Sequence, residues 1–253
     1  MIYDLQKASL LKRASAWILD MILLCVLVVG VASVMSGALK YDSYFDTMER
    51  CKEKYETQYG VSFDITEDDY NAKTPEDKKV YDDAMAAMNA DEEALKAYNM
   101  LISLSMVIVT VSVLVSYLAL EFAVPLLFGN GQTVGKKIFA IGLMKANGVK
   151  INAISLFVRT VLGKFTIETM IPLLIVMMML LGVIGIVGPL ILLGIAVVQV
   201  VTMVTSKTNS FIHDAMAQTV AVDIHSQLIF GDEDQLMAYK KQAHEDMVRR
   251  QSY

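Results

Sequence analysis

The chain has 253 residues, 55% of them hydrophobic, a mean hydropathy of +0.48 and a formal net charge of −5. A soluble domain is nearer about 45–50% apolar, so this composition excludes an ordinary water-soluble protein and predicts an all-α polytopic membrane protein that meets the lipid bilayer. The negative charge gives no basic footprint for nucleic acid.

In chain order, the first apolar run is 16–39, preceded by Lys7, Lys12 and Arg13 and interrupted by Asp20. Ser36-Gly37-Ala38 resembles a signal-peptide cleavage site. The run is longer than the roughly 7–15 apolar residues of a signal peptide, and it holds an acid, so a retained anchor is expected. An Asp at the centre of a spanning helix costs roughly 2.5–3.5 kcal/mol on insertion scales and tends to face a partner or a wet cavity.

Residues 41–98 carry sixteen acidic against seven basic residues and are too polar to span. Thr74-Pro75-Glu76-Asp77 supplies an N-cap, an N1 proline and early acids, which predicts a helix over 76–98. Asp64, Thr66, Asp68 and Asp69 place oxygens close together but lack the glycine and distant glutamate of a calcium loop, so a solvated acidic surface is expected. The two cysteines, Cys25 and Cys51, suggest no disulfide, and no metal-ligand spacing or cofactor motif appears.

The second run, 100–128, contains Tyr117 and Glu121. Residues 129–167 then hold Lys136, Lys137, Lys145, Lys150, Arg159 and Lys164 with no acid, which by the positive-inside rule makes this segment cytoplasmic and the 41–98 insert external. GNGQTVGKK (129–137) fails the P-loop pattern, because Asn130 stands where Gly is required and Lys136 is followed by Lys137. Around Asn147-Gly148 the pattern predicts two short extended pieces, and 151–165 is expected to be amphipathic, with Arg159 and Lys164 snorkelling at the inner interface. The last apolar run, 165–206, is twice a span's length and carries GVIGIVGP (182–189) at its middle. Two short spans, about 165–181 and 190–206, are expected, with one long tilted helix as the alternative. The tail 224–253 is charged and expected in the cytoplasm with the N-terminus; no long internal repeat is visible.

Asp20 lies seven residues inside Arg13, about 10 Å deeper on the same helix face, and Glu121 lies a similar distance inside Phe128. Gln199 reaches the same level if the fourth span ends near Ser206. Tyr117, four residues before Glu121, shares its face. Two close acids cannot easily both ionise, so such a site can hold a proton and lose it to an entering cation. The same groups also serve as hydrogen-bonding glue between membrane helices. His213-Asp214 has no recognisable nucleophile beside it, so no enzyme is expected.

LLKRASAWILD, YLALEFAVPLLFGNGQTVGKKIFAIGLMKANGVKI, LFVRTVLGKF and HDAMAQTVAV together resemble the RDD family of bacterial membrane proteins, over residues 8–223. The resemblance implies that the family's Arg falls on Arg13, its first Asp on Asp20 and its second on Asp214, in a cell-membrane protein for which transport of unidentified ligands has been suggested. The long acidic insert and Asn130 depart from the usual pattern. Two functional expectations follow: a transporter of a small solute or cation, proton-coupled, with Asp20 and Glu121 as binding acids and Arg13 tuning Asp20; or a scaffold or accessory subunit that recruits a protein partner through the insert and tail. Four short spans leave little room for a pathway unless chains form a homo-oligomer.

Overall fold

The computed structural model describes residues 5–206, 208 and 210–251. The protein is an all-α polytopic membrane protein: four helices, Leu10–Ala38, Glu92–Phe128, Ala153–Leu180 and Val187–Thr205, are long and apolar enough to cross a bilayer. The apolar run 165–206 therefore divides at its glycines. Gly182 and Gly185 take left-handed φ values of 71° and 43° in the turn, a conformation that costs glycine little. The third helix begins earlier than its apolar run, because Asn152 caps it by accepting from Ser155 N at 2.8 Å.

Two compact units are present, Val29–Ser112 and the remainder of the chain. The first unit holds the end of α1 (Leu10–Ala38), then α2 (Tyr41–Tyr59), α3 (Glu67–Ala72), α4 (Pro75–Ala90) and the greater part of α5 (Glu92–Tyr117). Cys51, Tyr55, Met88 and Ala94 form its small buried core. Thr66 caps α3 in a capping box with Asp69, and Thr74 caps α4 with Pro75 in its first turn. The helix expected over 76–98 is broken at Asp91, whose carboxylate accepts from Glu93 N at 2.9 Å and from Tyr55 Oη at 2.9 Å. A carboxylate that caps a new helix start offers the amides more than continuation of α4 would.

In the second unit the second span ends in a π-helical stretch, Leu118–Ala123, and α6 (Val124–Phe128). Next come α7 (Val134–Ile138) and β1 (Ile141–Lys145). The third span is α8 (Ala153–Phe157), a π-helical stretch Val158–Met170 and α9 (Ile171–Leu180); the fourth is α10 (Val187–Thr205). After it stand α11 (Ile212–Ala217), β2 (Thr219–Asp223) and α12 (Glu233–Gln251). The extended piece expected before Asn147-Gly148 is β1, but its ladder partner is β2, antiparallel, with Leu143 opposite Ala221. Only a short bridge, Met144 to Lys150, remains of the local hairpin.

These elements repeat. Thr133 and Phe211 are the N-caps of α7 and α11, Ala140 and Gln218 precede the strands in left-handed conformation (φ 54° and 51°), and the same chain interval separates each pair. The flanking bonds repeat too: Ala146 N donates to Gln218 O and Ile224 N to Ala140 O. On the outer edges Lys145 N donates to Val149 O, and Asp223 N to Gln6 O. Each half is thus an edge segment, two spans, a short helix and a strand, and the two meet in one small sheet. The segments before the first span, after the second and after the fourth all join that sheet, as two hairpin crossings require.

Candidate functional site

Asp20 is buried on the face of α1 that meets α7. It accepts from Thr133 Oγ1 and, at 2.7 Å, from Gly135 N, and Lys136 Nζ stands 3.9 Å away. A carboxylate at a helix start is well placed for the unpaired amides and the positive dipole end. Glycine at 135 is what permits the approach, since an added Cβ would meet Ala16 O and come within 2.9 Å of the Asp20 carboxyl. The third span does the same for α11: Glu168 accepts from His213 N at 3.0 Å and lies 2.7 Å from its Nδ1. There the glycine is on the span, with an added Cβ at Gly163 falling 2.6 Å from His213 Cβ.

Arg13 does not pair with Asp20. Its guanidinium lies 3.7 Å from Asp214 and over the Phe211 ring at 5.7 Å. Seven residues set the two about 10 Å apart along the helix, a gap that the tilt common to both side chains leaves open, and Arg13 reaches α11 instead. Asp214 also accepts from Arg159 Nε at 2.9 Å and Thr219 Oγ1 at 3.0 Å. Burial works against its ionisation, but Arg159 first, then His213 and Arg13, hold its carboxyl well below the usual range. His213 is pushed down by burial, against the pull of Asp214.

Asp20 and Glu121 have different lysines as their nearest cations, Lys136 and Lys164. Lys164 Nζ lies 2.7 Å from Glu121 Oε2, and Thr160 Oγ1 donates to the Glu121 carbonyl at 3.0 Å. Tyr117 meets Thr169 hydroxyl to hydroxyl at 2.7 Å and packs edge-on against Phe165. It therefore faces the same span as Glu121, although its hydroxyl is bonded elsewhere. Gln199 does not join Asp20 either: its side chain accepts from Ile212 N at 3.4 Å and bonds Glu168, which places it at the start of α11.

Arg159 and Lys164 do not snorkel. They are 3% and 9% exposed, because buried acids on other helices, Asp214 and Glu121, compete with water for them. The signal for them was indirect: Asp20, Glu121 and Asp214 needed cations, and the acid-free stretch 129–167 was where cations lay. Lys136 is the third. Burial above all, then Lys164 and Arg159, lowers it to about 8 against the opposing pull of Glu121 and Asp20. The outcome is a buried, charge-balanced network of Asp20, Glu121, Glu168 and Asp214 with Arg13, Lys136, Arg159 and Lys164.

The profile of the RDD family matches residues 7–218. The chain belongs to the RDD family. No curated protein and no solved structure matches it. In this RDD protein the residues that the resemblance assigns to the family's name fall in two places. Arg13 and Asp214 pair with each other, through a span and a helix far apart in sequence. Asp20 instead fastens α7 beneath the first span.

Proposed function

We propose that this RDD protein is a multi-pass cell-membrane transporter that exchanges protons for a small cation, with Asp20 and Glu121 as the binding acids. The supporting observation is that each acid has a lysine ammonium beside it: Lys164 at 2.7 Å from Glu121 and Lys136 at 3.9 Å from Asp20. A carboxylate that accommodates a buried ammonium has the charge and size to accommodate a monovalent metal cation. Lysine shifts its pKa readily when buried, unlike arginine, so an ammonium at such a site can be replaced by a cation and a released proton. The termini and residues 129–152 lie in the cytoplasm on this reading. The loop between the second and third helices still carries Lys136, Lys137, Lys145 and Lys150 with no acid once Arg159 and Lys164 are assigned to the span. Purified protein titrated with Na⁺, K⁺ or Li⁺ should rise in melting temperature, and Glu121→Gln should abolish that rise. A wild type indifferent to all three ions overturns the proposal.

A second reading, a scaffold or accessory subunit with partners at the acidic insert or in a homo-oligomer, is favoured by one observation. Asp214 is held by two guanidiniums and a hydroxyl, the arrangement of a structural tie rather than an open site.

A further inference from the structure

Lys136 and Asp214 occupy equivalent positions of the two repeated halves. Each directly follows the residue whose amide a span carboxylate caps, Gly135 under Asp20 and His213 under Glu168. Each short helix thereby carries one charge into the buried network, and the charges are opposite. Asp214 is clamped at 2.9 Å by Arg159 and at 3.0 Å by Thr219. Lys136 is held loosely: its nearest partner is the neutral Thr133 hydroxyl at 3.1 Å, and Asp20 is 3.9 Å away. Around it stand Asp20 from α1, Glu121 from the second span, and Lys164 and Arg159 from the third. Lys164, by contrast, contacts its acid directly.

We infer that Lys136 is the proton-carrying group of the site, its ammonium standing in for a monovalent cation between Asp20 and Glu121 and giving up one proton when such a cation enters. The inference rests on the exchange reading and names its proton carrier. The N–H bond breaks, its electron pair stays on Nζ, the proton leaves to water, and the entering cation takes over the single positive charge. The site's net charge is unchanged with a monovalent ion; a divalent ion would leave one charge in excess, so the ligand class is a monovalent inorganic cation. The low pKa of Lys136 places the release in an accessible pH range.

Lys136→Arg keeps the positive charge and hydrogen-bond donors but releases no proton at ordinary pH, so cation-driven proton movement in proteoliposomes of the full chain should fall at least about tenfold with the melting temperature retained. Lys136→Gln should bind Na⁺, K⁺ or Li⁺ with an affinity that no longer changes between pH 7 and pH 9. Wild-type coupling in Lys136→Arg overturns the inference and leaves exchange standing. Should Lys136→Arg fail to fold, cation binding by Lys136→Gln that still strengthens from pH 7 to pH 9 overturns it. A wild type that moves no protons overturns the exchange reading and this inference together.

Discussion

The Arg159 guanidinium donates to Asp214 at 2.9 Å, joining the third span to the short helix after the fourth in a pair of which neither member meets solvent. Removing one partner of such a pair strands a buried charge, whereas replacing both need not. Asp214→Asn is expected to cost about 3–5 kcal/mol, read as a large fall in melting temperature in detergent. The double variant Asp214→Leu, Arg159→Met should recover a substantial part of it. A single variant with wild-type stability would show that the pair does not tie the spans together.

Gly135→Ala should lower the yield of folded protein, because its Cβ meets the Ala16 carbonyl and crowds the Asp20 carboxylate. Gly30→Ala on the same first span has open space around its Cβ and should be neutral. Size-exclusion profiles of the two variants decide it, and equal profiles would contradict the close docking of α7 on α1.

His213 is held below its ordinary pKa in the folded protein by burial. A lowered folded pKa means that the unfolded chain binds the proton more readily, so this residue's stability contribution is complete above about pH 6.5 and is lost as pH falls below it. Melting temperature should decline from pH 7 to pH 5, and His213→Gln should flatten the decline. An unchanged slope in the variant would assign the effect elsewhere.

For orientation, Asp68→Cys and Ala146→Cys both sit at exposed positions, each to be made in a Cys51→Ser background. In intact cells a membrane-impermeant maleimide should label Asp68→Cys and spare Ala146→Cys. The reverse pattern would invert the proposed sidedness.

The spans were legible because long apolar runs read directly as helices, and Asp20 and Glu121 stood out because acids in such runs are costly. Their partners were not legible. Lys164 and Arg159 sit where a snorkelling side chain has the same sequence signature as a buried one, and only contact with Glu121 and Asp214 separates the two. Arg13 and Asp20 share a helix face, yet about 10 Å of helix between them leaves each to a different neighbour, Asp214 and Gly135. β2 is a five-residue strand, TVAVD, whose ladder partner lies two spans earlier, beyond any local pattern. The repeat was hidden for a related reason: Ala140 and Gln218 share a left-handed backbone but no side-chain chemistry.

Exchange at Glu121 is the central claim, and proton flux tests it most directly. Proteoliposomes containing the full chain and an entrapped pH dye, given an outside pulse of Na⁺, K⁺ or Li⁺, should alkalinise inside with at least one of these ions in the wild type and with none in Glu121→Gln. Correctly folded wild-type protein that moves no protons with any of the three, or Glu121→Gln that moves them at the wild-type rate, would contradict the account.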